Sequence, residues 1–153
     1  MSEELRTDHY PFCWGCGVGS GGLEFMWRLE AGVLQAEHTV PERYQGAPGM
    51  VHGGIVAALL DEACGQVARL VVTPGVTSRI EVRYLAPVPI DEPLRIAAQV
   101  VGSSDRRVEV EASMLDGSGL VLAHAQADVV QVRPEHFLQT PGGQARGLDW
   151  LPS

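Results

Sequence analysis

The segment GMVHGGIVAALLDEACG (49–65) places a histidine, two glycines and an acidic pair among apolar residues. His52, Gly53 and Gly54 stand where a helix would begin, and the first N–H groups of a helix have no partner within it. The helix dipole adds partial positive charge there, and glycine lets a substrate oxygen approach the amides closely. The pattern predicts an oxyanion-binding site, in which His52 either orients the oxygen or only caps the helix.

Asp61 is predicted to be the base in this segment. At helical spacing its neighbours on one face are all small, namely Gly54, Ala57, Ala58 and Gly65. A carboxylate in such a slot meets little water and few local partners, which makes it a candidate base. The alternative is that the slot receives a second helix and that Asp61 bonds a group across a dimer interface.

Glu62, although adjacent, is predicted to have a different role. It is spaced at i, i+4 and i+7 with Gln66 and Arg69, so the three residues form one polar stripe. Such a stripe is typical of a solvated or rim face of a helix. We therefore assign the chemistry to Asp61 rather than to Glu62.

Cys13-x-x-Cys16 resembles half of a zinc site, and His9 stands four residues before Cys13. A closed structural zinc site has four nitrogen or sulfur ligands, and the third cysteine, Cys64, falls within the expected helix. We therefore predict a packed N-terminal arm with reduced thiols, no metal site and no cofactor.

Composition restricts the partners and the compartment. A formal net charge of −8 over 153 residues argues against nucleic acid or an anionic membrane as the main partner, because either favours a basic surface. The first residues lack the basic and apolar regions of a secretory signal, and the longest apolar stretch, residues 55–60, is too short to span a bilayer. Three cysteines, an odd number, suit a reducing compartment, so we expect a cytoplasmic protein.

One long helix and about six strands must position the candidate residues. Residues 53 to about 72 read as a largely apolar helix that is stopped by TPG (73–75). Alternating apolar residues predict strands within 23–30, 33–40, 78–89, 94–102, 106–115 and 120–132. We predict an α+β domain in which a mostly antiparallel, curved sheet wraps one central helix. The expected organisation is an N-terminal arm (1–22), this domain (23–132) and a loosely ordered C-terminal tail (133–153).

Three motifs match one known family. VHGGIVAALLDEACG (51–65) closely resembles the motif of hotdog-fold acyl-CoA thioesterases, in particular the phenylacetate-pathway-like (PaaI-like) branch. CWGCGVGSGGLEF (13–25) resembles the opening of one group of these proteins, and GVTSRIEVRYLAPVP (75–89) resembles their strand after the central helix. The resemblance covers nearly the whole domain and implies the hotdog fold, in which a sheet wraps one long helix.

The resemblance also implies a role for each matching position. Asp61 corresponds to the acidic residue that acts as general base on water, or as nucleophile, towards the thioester. Gly53 corresponds to the glycine whose N–H polarises the thioester carbonyl, and His52 to the histidine near that carbonyl. Thr77 corresponds to a Ser/Thr position that in relatives reaches the catalytic water from the opposing subunit.

The acyl-binding loop departs from the family pattern. Some relatives have an asparagine six residues before the histidine that helps to hold the acyl group, and here that position is Gly46. Gln45 stands one position earlier and is the candidate substitute. Elsewhere, the pair Arg106 and Arg107 at an expected hairpin is a candidate for binding a CoA phosphate, although such pairs are usually solvated turn residues.

The predicted function is hydrolysis of an acyl-CoA substrate by a homodimer, assembled further as a dimer of dimers. A half-wrapped apolar helix needs a second subunit to complete its burial, and the resemblance places each active site between two subunits. The main alternative is a non-catalytic hotdog module that binds acyl-CoA or an acyl carrier; the presence of Asp61 and Thr77 favours the enzyme. A hydratase of the same fold is disfavoured, because that branch has a histidine five residues after an aspartate, which DEACGQ (61–66) lacks.

Overall fold

The computed structural model describes residues 3–5, 10–17, 21–23 and 26–151. Within them, one long helix and one short helix accompany seven strands, and two short 3-10 helices complete the secondary structure. In chain order the elements are β1 (Glu3–Leu5), β2 (Trp27–Glu30), β3 (Val33–Thr39), a 3-10 helix (Glu42–Tyr44), α1 (Gly53–Ala68), β4 (Gly75–Tyr84), β5 (Pro93–Ser104), β6 (Arg107–Leu115), β7 (Val121–Gln131), a 3-10 helix (Pro134–Leu138) and α2 (Pro141–Arg146).

The seven strands form one sheet in the order β1-β2-β3-β5-β6-β7-β4, and every neighbouring pair is antiparallel. Helix α1 packs against β3, β4, β5, β6 and β7, so the sheet curves around it. Alternating apolar side chains on the inner sheet face fill the space between the two layers, among them Leu94, Ile96, Ala98, Val108, Val110 and Ala112. This is the hotdog architecture, and the predicted fold class is confirmed.

Helix α1 (Gly53–Ala68) begins where the sequence predicts but stops short of Val72. The chain turns after its last residue, and the N–H groups of Val71 and Val72 both bond to the Ala68 carbonyl. Leu70 and Val71 are half exposed in that turn, whereas Val72 is buried at its end. In the part of the chain that the structure describes, no helix combines the length and the apolar character needed to cross a membrane.

Strand β4 is one edge of the sheet and carries a β-bulge near its start. Thr77 is paired with Val129 and Ile80 with Ala127, and the register shifts at Ser78 between them. Val129 and Ala127 are both buried on the face towards α1, so Thr77 and Ile80 share that face. Strict alternation would put residues at this spacing on opposite faces. The bulge therefore turns the Thr77 side chain towards the helix.

The described parts of the N-terminal arm and of the C-terminal tail pack on the domain. Residues 10–17 lie against α1. The tail, predicted to be loosely ordered, instead folds into the 3-10 helix Pro134–Leu138 and α2. The Trp150 ring packs against the rings of Phe137 and Tyr10, which joins the two ends of the chain. The predicted boundaries of arm, domain and tail stay a prediction.

Candidate active site

Asp61 lies on α1 and is hydrogen-bonded to the edge strand β4. The Thr77 hydroxyl donates to Asp61 Oδ1 at 2.9 Å. Both residues belong to the same chain, whereas the family pattern predicts that Thr77 reaches the site from the opposing subunit. Within the chain, the bulge at Ser78 turns Thr77 towards its own helix, and a contact of Thr77 with a second subunit stays a prediction. A carboxylate held through one oxygen keeps the other oxygen to accept a proton.

The first turn of α1 has one N–H group available. The His52 side chain caps the helix, because its Nδ1 accepts the Gly54 N–H at 3.0 Å. The His52 carbonyl accepts the Ile55 N–H at 2.9 Å. The Gly53 N–H has no acceptor among the residues that the structure describes. Gly53 is therefore the donor open to a substrate oxygen, whereas Gly54, also predicted to bind substrate, has its N–H engaged by the cap.

The helix cap also determines the tautomer of His52. Because Nδ1 accepts a hydrogen bond from a backbone amide, the neutral ring carries its proton on Nε2. The ring is exposed, so the Nε2–H group can still donate to a ligand. The two roles predicted for His52 are thus compatible, since they use different nitrogens.

Tyr84 is a neighbour of the helix start that the sequence reasoning missed. Its hydroxyl donates to the Gly53 carbonyl at 2.9 Å, and a Cβ at position 53 would lie 3.5 Å from its ring. The alternation of Ile80, Val82 and Tyr84 predicts that they share a face. That pattern carries no signal for a hydrogen bond to the start of α1.

The loop before α1 contains Gln45 and Gly46. A Cβ at position 46 would lie 3.1 Å from His52 Cα, so an asparagine there would press on the backbone at the helix start. The Gln45 Oε1 atom accepts the Gly49 N–H at 3.3 Å, and Nε2 lies 3.5 Å from Glu42 Oε1. The amide predicted to replace the asparagine is thus engaged within its own loop.

A cavity of about 240 Å³ opens beside Asp61. Its polar wall consists of α1 and the start of β4, including Asp61 and Thr77. The opposite lining comes from the C-terminal tail, where Phe137, Trp150 and Leu151 contribute apolar side chains. The tail, for which the sequence predicts no function, thus forms part of the chamber that contains the carboxylate.

The polar stripe on α1 is only partly covered. Gln66 Nε2 donates to Glu62 Oε1 at 2.7 Å, and Arg69 donates to Gln66 Oε1 at 3.3 Å, so the three residues share one face as predicted. However, Gln66 is only 5% exposed, and a Cβ at Gly15 in the N-terminal arm would overlap the Glu62 carboxylate. Gln66 is thus buried, whereas Glu62 and Arg69 are half-buried and line the cavity beside Asp61.

Two cysteines meet Glu62 at this covered face. The Sγ atoms of Cys13 and Cys16 and a carboxylate oxygen of Glu62 all lie within 4.8 Å of one another, and these are donors of the kind that bind a metal ion. Burial, the Glu62 charge and the nearby Cys13 raise the pKa of Cys16 above its usual range. Burial, with a smaller contribution from a neighbouring carboxylate, raises the pKa of Cys64 to about 12. No disulfide joins the three cysteines, and His9 lies outside the described residues.

The two arginines predicted to bind phosphate are in different situations. Arg107 forms an ion pair with Asp128 at 2.9 Å and approaches Glu109 at 3.6 Å. The alternation of β6 puts Arg107 on the sheet face away from α1. Arg106 is exposed and makes no ion pair with any residue in the described ranges. Neither arginine lines the cavity beside Asp61. Of the two, Arg107 is paired with carboxylates and Arg106 is not.

Gly53 and Asp61 are far apart within one chain. Both lie on α1, with eight peptide units between them, so their backbones are separated by roughly 12 Å at a rise of about 1.5 Å per residue. The distance from a thioester carbonyl oxygen to the water that attacks the carbonyl carbon is shorter than this, because the water approaches the carbon at an angle to the C=O bond. A site that uses both groups on one thioester is therefore difficult to build from a single chain.

Comparisons with known proteins agree with the predicted family. Residues 48–123, which contain all of α1 and most of the sheet, match the family model of the thioesterase superfamily. No curated protein sequence matches the chain. Among solved structures, the thioesterase superfamily protein RHA08564 is 27% identical, with a TM-score of 0.68 over 72% of this chain and 55% of that one.

Two further solved structures share the fold at lower identity. A putative thioesterase of Ralstonia eutropha JMP134, a phenylacetic acid degradation-related protein, is 20% identical, with a TM-score of 0.66 over 72% of this chain and 87% of that one. A Streptococcus mutans UA159 protein bound to acetyl CoA is 20% identical, with a TM-score of 0.64 over 68% and 84% of the two chains. The chain thus spans 55% of the length of RHA08564 and most of the length of the other two.

Proposed function

Since residues 48–123 match its family model, the chain belongs to the thioesterase superfamily, and on that basis we propose that it hydrolyses an acyl-CoA thioester to a free carboxylic acid and CoA. The observation that carries the proposal is the hydrogen bond of 2.9 Å between Thr77 and Asp61 at the wall of a cavity. A carboxylate aligned by a hydroxyl at the wall of an open cavity is suited to activate water for acyl transfer. The acetyl CoA bound to the Streptococcus mutans protein supports CoA as the carrier of the acyl group.

In the proposed mechanism Asp61 acts as a general base. Its free oxygen takes a proton from water while the water oxygen bonds to the thioester carbon, and the Thr77 hydroxyl keeps the carboxylate oriented. The carbonyl electrons move onto oxygen, where the N–H of Gly53 and the dipole of α1 stabilise the negative charge. When the carbonyl re-forms, the C–S bond breaks and the CoA sulfur receives the proton from Asp61. Nucleophilic attack by Asp61 itself, through an anhydride, is the alternative route.

We further propose that each site is completed by a second copy of the chain. The separation of roughly 12 Å between the Gly53 and Asp61 backbones is resolved if Gly53 of one subunit and Asp61 of the other serve the same thioester. Unpaired edge strands are natural templates for pairing with another chain, and β4 is such an edge.

Exposed apolar side chains support the same homodimer. Ile80 is 37% exposed and Tyr84 is 56% exposed, although both point to the face of β4 that adjoins α1. Covering this surface with a second subunit would bury apolar area that one chain leaves in water, which favours association. Assembly of two dimers into a tetramer and a cytoplasmic location remain predictions from the sequence.

The apolar lining of the cavity is the proposed seat of the acyl group. Phe137, Trp150 and Leu151 face the same space as Asp61, so an acyl chain lying among them would bring its carbonyl towards the base. For the CoA phosphates, the exposed Arg106 is the proposed contact rather than Arg107, whose guanidinium is already paired with Asp128.

The direct test is turnover of short, medium, long and aromatic acyl-CoAs by wild-type protein and by Asp61→Asn. Asparagine keeps an oxygen for the Thr77 hydroxyl but cannot accept the proton, so we expect a loss of about 10²–10⁴-fold in kcat. Asp105→Asn is the matched control, because position 105 has a positive φ of 49°, which asparagine tolerates. Unimpaired hydrolysis by Asp61→Asn would exclude Asp61 as base, and tight binding of every acyl-CoA without turnover would indicate a binding module instead.

A further inference from the structure

Cys13, Cys16 and Glu62 form a cluster that the proposed hydrolysis does not use. Two thiols from the N-terminal arm and one carboxylate from α1 bring their donor atoms within 4.8 Å of one another. The two cysteines are close in sequence, whereas Glu62 lies in a distant segment. Each of the three groups is an anionic ligand when deprotonated. Two segments of the chain thus bring three potential metal ligands to one place.

The local backbone aims both thiols at the helix. The Cys13 N–H bonds to the Tyr10 carbonyl at 3.0 Å and the Gly17 N–H bonds to the Cys13 carbonyl at 2.8 Å, so the segment forms compact turns. Gly15 lies against the Glu62 carboxylate, where a side chain would overlap it. The glycine between the cysteines thus allows the arm to approach α1 closely enough for both thiols to reach Glu62.

The carboxylate itself is held in place. Gln66 Nε2 donates to Glu62 Oε1 at 2.7 Å, and Gln66 Oε1 in turn accepts from Arg69 at 3.3 Å. Metal-binding carboxylates are typically fixed by such hydrogen bonds from an outer shell of residues. Only one Glu62 oxygen is used by Gln66, and the other lies beside Gly15 and the thiols.

We propose that Cys13, Cys16 and Glu62 bind a zinc ion that fastens the N-terminal arm to α1. Two thiolates and one carboxylate suit zinc, whereas Mg²⁺ and Ca²⁺ prefer sites made of oxygen alone. With Zn–S distances of about 2.3 Å and Zn–O distances of about 2.0–2.2 Å, the donors need only a small side-chain adjustment to close on one ion.

The fourth coordination position would open to the cavity. Cys13 and Glu62 both line the cavity that contains Asp61, whereas Cys16 is buried behind them. Structural zinc sites usually have four protein ligands, and three with an open position are typical of catalytic sites, so here a water would complete the coordination of an ion that fastens the arm. The ion would hold the arm over the polar stripe of α1. This inference does not depend on the proposed thioesterase activity.

Zinc binding to the full chain tests the proposal without an activity assay. Protein stripped with a chelator under reducing conditions is titrated with Zn²⁺ and, separately, with Co²⁺, whose thiolate complexes absorb in the near ultraviolet. We expect one metal ion per chain, a thiolate–cobalt band, and a rise of roughly 5–10 °C in Tm when zinc exceeds its Kd about 100-fold.

Variants identify the ligands. Cys13→Ser and Glu62→Gln should each weaken zinc binding at least tenfold, and Cys13→Ser should also reduce the cobalt band. Cys64→Ala, which removes a buried thiol outside the cluster, should bind zinc as wild type does. Should Cys13→Ser fail to fold, Glu62→Gln, which keeps both thiols, decides the ligand set.

Three results would overturn the proposal. They are a folded wild-type chain that binds no zinc, zinc binding that is unchanged in Glu62→Gln, and an equal loss of binding in Cys64→Ala. Formation of a disulfide between Cys13 and Cys16 in a glutathione buffer, with no zinc binding by the reduced protein, would identify the pair as a redox element instead.

Discussion

The Thr77 hydroxyl and the Asp61 carboxylate are joined by a hydrogen bond of 2.9 Å that links the edge strand β4 to helix α1. The contact exists because a bulge at Ser78 puts Thr77 on the inner face of the sheet. The extra residue in this edge strand therefore allows the hydrogen bond that orients the carboxylate of the proposed base. Bulges beside functional sites often re-aim a side chain in this manner.

Replacing Thr77 by valine should lower kcat without unfolding the protein. Valine keeps the shape of the side chain but removes the donor, and a hydrogen bond to a charged group is worth about 1.5–3 kcal/mol, so we expect a decrease of roughly 10–100-fold. Thr77→Ser, which keeps the hydroxyl, should stay close to wild type. Steady-state kinetics of the two variants measure this, and equal kcat values for valine and serine would mean that the hydroxyl has no part in catalysis.

Gly53→Pro should remove the proposed oxyanion donor while keeping the helix. Proline is favoured at the first position of a helix, and His52 has φ −59° and ψ 135°, which suits a residue before proline. Loss of one such donor costs about 10²–10³-fold in kcat. The control is Gly53→Ala, which retains the N–H and whose Cβ would be in ordinary contact with Tyr84 at 3.5 Å. If proline and alanine give the same kcat, the amide is not the donor.

His52→Ala and His52→Asn separate the two roles of this histidine. Alanine removes the cap on the Gly54 N–H and should lower the free energy of unfolding by about 0.5–2 kcal/mol. Asparagine is itself a good cap, so it should preserve stability while removing the Nε2–H group. Urea unfolding and kcat are measured for both. A stable asparagine variant with full activity would limit His52 to capping.

Trp150→Ala should alter substrate selection rather than the chemical step. Its ring lines the cavity and packs on Phe137, so its removal enlarges the space beside Asp61. We expect kcat/KM to rise for bulkier acyl groups relative to short ones. Trp14→Ala, at an exposed tryptophan outside the cavity lining, is the control. An unchanged order of substrates in Trp150→Ala would remove the tail from the acyl site.

Much of the architecture could be predicted from local patterns in the sequence. Apolar residues alternate in β5, β6 and β7, and small and apolar residues recur at helical spacing in α1. These periodicities predict which face of each element is buried. The preference for Asp61 over Glu62 came from the same source, because only Asp61 has small neighbours on its face. In the structure both carboxylates line the cavity, and Asp61 is the one bonded to the Thr77 hydroxyl, so the role of Asp61 as base stays a prediction.

The features that escaped prediction depend on contacts between distant segments. The alternation of apolar and polar residues in β4 does not reveal the bulge at Ser78. The sheet face on which Thr77 lies could therefore not be derived from the spacing. The burial of Gln66 could not be predicted either, because the spacing of the polar stripe fits a solvated or rim face equally well. Glu62 was likewise not associated with Cys13 and Cys16, which approach it only in the folded chain.

Complementation between two inactive variants tests whether each active site combines Asp61 of one subunit with Gly53 of another. Asp61→Asn and Gly53→Pro chains carrying different tags are co-expressed, and the mixed dimer is purified and assayed for acyl-CoA hydrolysis. One of its two sites then contains both an intact Asp61 and an intact Gly53 amide. We expect the mixed dimer to have about half of the activity of the wild-type dimer, although each variant alone is nearly inactive. A mixed dimer as inactive as its parents would contradict this combination, because that result means that both groups must come from the same chain.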